Sequence, residues 1–325
     1  MRRRDFITLL SGTTLAWPLA GRAQQAMPVI GFLTAATPYA PFLDDFRKAL
    51  AENGYYEGRN VTIQYRSAEG QYDRLSRLAD ELIRVRVDVI VAVGGSISAQ
   101  TAKAATDTIP IVALLGDDPI GSGLVASLHH PGGNVTGVAQ LVVAAEGKRL
   151  EFLRELLPTV ETIAYLVNPA LPRAEMLIRN IESEAQALGV KLLVLRASND
   201  REIAAAFATI TQEHVGGLVV GADSFFFIQR DQLVALSDRY AVPTVYFFRE
   251  FATAGGLISF GTNLADGYRQ VGVYTARILK GARPADLPIA EQTERIELVI
   301  NLRTAKALKL TVPQSLLARA DEVIE

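Results

Sequence analysis

Three landmarks recur in order along this chain at a nearly constant displacement. Gly189 follows Gly54 by 135 residues, Ser224 follows Ser96 by 128, and Pro243 follows Pro110 by 133. Their surroundings rhyme too, Thr108-Ile109-Pro110-Ile111-Val112 against Ala241-Val242-Pro243-Thr244-Val245. Self-similarity of this kind means that one supersecondary plan is used twice, so the chain is expected to build two similar lobes. The plan is parallel βα. Short β-branched runs at 29–33, 61–65, 87–93 and 111–115 alternate with helix-periodic segments at 42–51, 72–85 and 98–106. Strands covered on both faces lose the polar alternation of an exposed strand, whereas each helix keeps one apolar face, as Leu75, Leu78, Ala79 and Leu82 do. The second half repeats the order, with strands at 162–167, 190–196, 217–222 and 244–248 and helices at 174–188, 201–212 and up to 240.

A simple tandem would end near residue 250. Here Ala254-Gly255-Gly256 leads into a further strand at 257–260, a long helix at 264–280, and a last strand at 297–302 before a helical tail. The extra elements predict a chain that returns to its first lobe and crosses again. The expected class is α/β, with two doubly wound Rossmann-like lobes and three interlobe crossovers. Lobe one takes 28–140 plus 255–284, and lobe two takes 141–254 plus 285–325. Doubly wound sheets bind ligands beyond the carboxyl ends of their strands, so a ligand is expected between closing lobes.

The first residues read as an address. Met1-Arg2-Arg3-Arg4 is basic, the run to Ala20 is weakly apolar, and Gly21-Arg22-Ala23 supplies small residues for cleavage. Ser11, Gly12, Thr13, Thr14 and Pro18 interrupt the run, which falls short of the ~20 apolar residues of a membrane span. Arg3-Arg4-Asp5-Phe6-Ile7 is similar to a twin-arginine export motif, so residues 1–23 are expected to be removed after Tat export to the periplasm; a Sec signal is the alternative. That cleavage removes four arginines and one aspartate, leaving 29 basic against 34 acidic residues and a net charge of -5. Such a balance excludes the basic footprint of a nucleic-acid binder. There is no cysteine, which excludes disulfides, thiol catalysis, Fe–S clusters and a lipid-anchoring cysteine. Of the three histidines, His129 and His130 adjoin a Pro-Gly-Gly turn and His214 stands alone, so no metal spacing results. No cofactor is expected, and neither GxGxxG nor a P-loop is present.

Several segments carry a resemblance. They are Ile30-Gly31-Phe32-Leu33, Gly54-Tyr55-Tyr56-Glu57-Gly58-Arg59-Asn60-Val61, the run from Tyr65 through Gly70-Gln71-Tyr72 to Leu75, and Asp118-Pro119. Pro131-Gly132-Gly133-Asn134-Val135-Thr136-Gly137, Arg249-Glu250-Phe251 and the end from Leu298 to Asp321 continue the series. Together, in this order, the chain resembles the substrate-binding proteins of ABC importers related to the tryptophan/tyrosine-type transporters. The resemblance implies a type I periplasmic binding fold. It also implies delivery of a small solute, an amino acid or small carboxylate, to an ABC permease and through it a cytoplasmic ATPase. Neither catalysis nor stable membrane insertion would be needed, and a monomer is the default. A ligand-sensing module for a membrane receptor is the alternative; an exported hydrolase is disfavoured, because no GxSxG elbow is present.

Candidate ligand contacts lie at the strand ends. Gly94-Gly95-Ser96 joins a strand to a helix start, where free N–H groups and a hydroxyl can hold a carboxylate; a plain tight turn is the alternative. Asp223-Ser224-Phe225-Phe226-Phe227 is its counterpart, with Asp223 as an acceptor for an ammonium and one or two of the phenylalanines, Phe225 and Phe226 foremost, as an apolar wall. Thr34, Thr37 and Tyr39 form the loop after the first strand, and Asn168 holds the same place in lobe two. Asp117 and Asp118 end a strand, with turn capping as the other role for Asp118. Tyr246 is either a contact or core, and Arg249 is either a carboxylate grip or a partner of Glu250.

Overall fold

The computed structural model describes residues 27–140, 142–143, 145–292 and 296–325. The expected export signal at 1–23 lies outside the described residues.

The chain begins with β1 (Val29–Thr34), α1 (Ala40–Glu52), β2 (Thr62–Ser67), α2 (Leu75–Arg84), β3 (Val89–Val93), α3 (Ser96–Ala105), β4 (Ile111–Leu115) and β5 (Val135–Gln140). It crosses into α4 (Glu146–Leu156), β6 (Thr162–Val167), α5 (Ala174–Ala187), β7 (Lys191–Arg196), α6 (Asp200–Gln212) and β8 (Gly217–Val220). There follow α7 (Ser224–Ile228), α8 (Arg230–Arg239), β9 (Thr244–Tyr246), α9 (Arg249–Thr253) and β10 (Ile258–Thr262). The last elements are α10 (Leu264–Leu279), β11 (Ala290–Gln292), β12 (Ile296–Asn301), α11 (Leu302–Ala307), α12 (Gln314–Leu317) and β13 (Glu322–Ile324).

Two sheets result. One runs β11-β5-β4-β3-β1-β2 and is parallel throughout; the other runs β13-β12-β10-β9-β8-β6-β7, with β12 antiparallel to β10. The fully buried sequences of β3 and β4, Val-Ile-Val-Ala-Val and Ile-Val-Ala-Leu-Leu, are those of strands covered on both faces. Phe42, Phe46 and Leu50 of α1 pack on Phe32 and Val91, while Leu75, Leu78 and Leu82 of α2 pack with Leu33 and Ile90 in a separate cluster. Helix α10 also belongs to lobe one, against α1 and β4. A Cβ at Gly272 would sit 2.7 Å from the Phe46 carbonyl oxygen and 2.8 Å from the Ala49 Cβ, so this helix approach needs glycine.

Sheet membership changes three times, after β5, after β10 and after β11. Two of the boundaries differ from expectation. The segment 255–262 belongs to lobe two rather than lobe one, because β10 hydrogen-bonds with β9 and β12. Residues 290–292 return to lobe one, because β11 pairs with β5. Edge strands as short as β11 and β13 carry too few residues to show a period, and β13 replaces the end of the expected helical tail. The helix expected up to 240 is two helices broken at Gln229.

Candidate functional site

In each sheet the strand order reverses once, between β1 and β3 in lobe one and between β6 and β8 in lobe two. Loops leaving a reversal point diverge to opposite faces and open a crevice at the strand ends. The two crevices face each other. Between them lies a cleft of about 1060 Å³, including the part open to solvent.

The lobe-one wall begins with the turn after β3. Gly94 and Gly95 have φ of 75° and 98°, and a Cβ at Gly94 would lie 2.7 Å from Thr34 Oγ1, so the turn requires glycine and lies against the loop after β1. Ser96 Oγ accepts from the Gly116 N–H at 3.2 Å, which ties this turn to the end of β4. Of the candidate contacts, Thr37, Tyr39, Gly94, Gly95, Ser96 and Asp117 line the cleft. So do Asp223 and Ser224 from lobe two.

Asp223 is the hub of the opposite wall. It caps α7, its Oδ1 accepting from the Phe225 N–H at 2.9 Å, the Phe226 N–H at 3.2 Å and Asn168 Nδ2 at 3.1 Å. Tyr72, across the cleft in lobe one, donates its hydroxyl to Asp223 Oδ2 at 2.5 Å. Burial pushes the Asp223 carboxyl above its ordinary value, against the pull of Tyr72, Asn168 and the two backbone N–H groups. Burial and the adjacent carboxylate together push the Tyr72 phenol well above its own. Ser224 Oγ donates to the Gly94 carbonyl at 2.5 Å, and Arg173 pairs with Asp117. All three contacts join lobe to lobe.

Aromatic rings form the floor. Phe227 stacks on Phe42 with ring centres 6.1 Å apart and meets Tyr39 edge-on at 6.4 Å; Phe42 lies 5.2 Å from Tyr268. Phe247 and Phe248 complete the surface, and the Arg230 guanidinium lies over both Tyr39 and Phe227 at 5.3 and 5.5 Å.

Other expected contacts lie elsewhere. Thr34 is buried, and its Oγ1 accepts from the Ala36 N–H at 3.1 Å, shaping the loop. Asp118 is exposed and caps its own turn, Oδ1 accepting from the Ile120 N–H at 2.9 Å. Asn168 lies beneath Asp223 and supports it. Phe225 and Phe226 are buried off the cleft wall; successive helical residues diverge by about 100°, so of the three phenylalanines Phe227 is the one that lines it. Tyr246 is core, stacked on Phe251 at 4.7 Å and donating to Ser237 Oγ at 2.8 Å. Arg249 pairs with Glu322 and, at 3.8 Å, with Glu297, away from the cleft lining.

Sequence reasoning missed Tyr72, Phe42, Tyr268 and Arg173 as lining residues. Phe42 shows the apolar period of a core helix, which is what a cleft floor continuous with the core also shows. Arg173 had one signal, its place just before a helix on the loop after a central strand. Among the described residues no group of three or more His, Asp or Glu gathers as a metal site.

A family model described as ABC transporter substrate binding protein matches residues 39–324. The chain belongs to that family. This substrate-binding protein is 25% identical over 265 residues to the tyrosine-binding protein of Clostridioides difficile, covering 82% of this chain and 75% of that one. Its structure is similar to that of an ABC domain in complex with L-Trp from Streptococcus pneumoniae, with a TM-score of 0.80, 26% identity, and coverage of 91% and 99% of the two chains. A periplasmic binding protein from Alkaliphilus metalliredigens shares the fold alone, at a TM-score of 0.53 and 14% identity over 83% of this chain and 96% of that one. The substrate-binding protein therefore has the type I periplasmic binding fold. Among the described residues no helix is long and apolar enough to cross a membrane.

Proposed function

We propose that this chain is the periplasmic receptor of an ABC importer, exported by the Tat route, and that its solute is an amino acid with an aromatic or large apolar side chain. One observation carries the reading. The cleft joins an aromatic floor, built by Tyr39, Phe42, Phe227 and Tyr268, to a polar rim that holds charges of both signs. An apolar body with a charged head satisfies both parts, and the tyrosine and tryptophan named for two relatives have that form. Binding completes contacts from both lobes at once, so occupancy favours closure, and closure is the signal a permease reads. Recognition needs no covalent step, and the role is non-enzymatic.

A thermal-shift screen of the purified protein against the amino acids and small carboxylates, followed by calorimetry, tests this. A ligand at 100 times its dissociation constant stabilises by ~2.7 kcal/mol, a visible rise in melting temperature. Hits confined to aromatic or large apolar amino acids support the reading. A sugar or an inorganic anion as the sole hit defeats it.

A further inference from the structure

The Asp117–Arg173 bridge is built differently from the other lobe-to-lobe contacts. Asp117 follows β4 in lobe one, Arg173 precedes α5 in lobe two, and both line the cleft. Arg173 Nη2 donates to Asp117 Oδ2. The second carboxylate oxygen, Oδ1, is buried and accepts no hydrogen bond from any described residue. Among the described residues the Arg173 guanidinium donates to Asp117 alone, and its side chain stays 25% exposed toward the cleft. A buried carboxylate oxygen without a donor carries a desolvation cost, and a guanidinium has five N–H groups to give. The pair is thus an ion pair with capacity left on both sides. Asp223, the other cleft carboxylate, already receives Asn168, two backbone N–H groups and Tyr72.

We propose that Arg173 and Asp117 determine the head-group specificity of the cleft, trading part of their mutual contact for a zwitterionic α-amino acid whose carboxylate pairs with Arg173 and whose ammonium donates to Asp117 Oδ1. The proposal rests on the amino-acid reading above and names the residues that enforce it. Charge accounting favours the exchange. Two opposite protein charges meet two opposite ligand charges, so the closed cleft gains no net charge. An amine without the carboxylate would bring an extra positive charge and leave Arg173 underused, and a deaminated acid would do the reverse to Asp117. Either mismatch is costly where water is excluded. The aromatic floor fixes the side chain, and the pair fixes the head.

The test is calorimetry with L-tryptophan, L-tyrosine and L-phenylalanine, each beside its decarboxylated amine and its deaminated 3-arylpropionate, on the wild type, Arg173→Gln and Asp117→Asn. The wild type should prefer the amino acid over both analogues. Arg173→Gln should weaken amino-acid binding roughly 10- to 100-fold and collapse the preference over the amine, while keeping some preference over the arylpropionate. Asp117→Asn should do the converse. If the two residues serve only as a latch between lobes, each variant weakens all ligands by one factor and leaves the ratios unchanged; that result overturns the proposal and leaves the receptor reading standing. Unchanged affinities in both variants overturn it equally. If the wild type binds none of the amino acids, the amino-acid reading falls first and this proposal with it.

Discussion

Asp223 shows how one side chain can be cap, support and cleft wall together. Because burial holds its carboxyl above the ordinary 3.8, its contribution to folding is full below that value and is lost as pH rises through the raised folded value. Asp223→Asn stays neutral and can still accept from the α7 N–H groups. The melting temperature of the wild type minus that of Asp223→Asn should therefore fall as pH rises above the ordinary 3.8, as read by calorimetric scans. A difference that grows with pH would contradict the assignment. Phe227 belongs to the same wall. Phe227→Leu keeps an apolar side chain but loses three carbons, and should cost less than about 3 kcal/mol of stability, below the range of a Phe→Ala truncation. Losing the ring face should still lower the affinity for an aromatic ligand about 3- to 10-fold by calorimetry, since aromatic pairs contribute about 0.5–1.5 kcal/mol beyond area.

Helix α4 ties the crossings between the lobes together, and α10 packs within lobe one. Arg149 of α4 is fully buried; its Nε donates to the Phe260 carbonyl at 2.8 Å and its Nη2 to the Val142 carbonyl at 2.7 Å. Those carbonyls flank two of the three crossings, so one guanidinium joins them. Burial lowers the Arg149 pKa to about 10 and raises that of Glu146, whose carboxylate accepts from Tyr165 and from the Ala222 N–H. Arg149→Met should cost about 3–5 kcal/mol in urea unfolding, because Glu146 is left buried with its charge uncompensated, and Glu146→Gln in the same chain should recover part of the loss. Gly272→Ala tests α10. The added methyl would press on the Phe46 carbonyl and Ala49, and separating α10 from α1 should cost about 1–3 kcal/mol.

Closure is a property of the two lobes together. Tyr72 to Asp223 and Ser224 to Gly94 bridge the cleft without belonging to either sheet. Tyr72→Phe with Ser224→Ala removes both bridges and should leave each lobe folded. In small-angle scattering the ligand-free variant should show a larger radius of gyration than the ligand-free wild type. Its affinity should fall, because more of the binding energy goes into drawing the lobes together. An identical radius with an identical affinity would mean that these bridges do not bias closure.

The repeat was legible because it is local chemistry repeated. β-branched runs buried on both faces, amphipathic helices and glycine turns at fixed displacements need no tertiary information, and strands such as β6 fall where the pattern puts them. The turn residues Gly94, Gly95, Ser96, Asp223 and Ser224 were legible for the same reason, since a doubly wound sheet places its reversal-point loops at the ligand. Short edge strands such as β11 were not, because three residues show no period, and so the second lobe boundary was displaced; β10 was legible as a strand, but its sheet is decided by pairing with β9 and β12. The cleft floor was hidden as well. A phenylalanine facing the partner lobe and one facing its own core have the same spacing, and which of Phe225, Phe226 and Phe227 meets the cleft depends on how α7 is set against the other lobe. The bond between Arg173 and Asp117 joins residues 56 positions apart, a separation without local sequence signature. Sequence pattern specifies elements because their hydrogen bonds and apolar faces are local; the pairing of charges across the cleft exists because the surfaces of two lobes, each built from separate stretches of chain, meet.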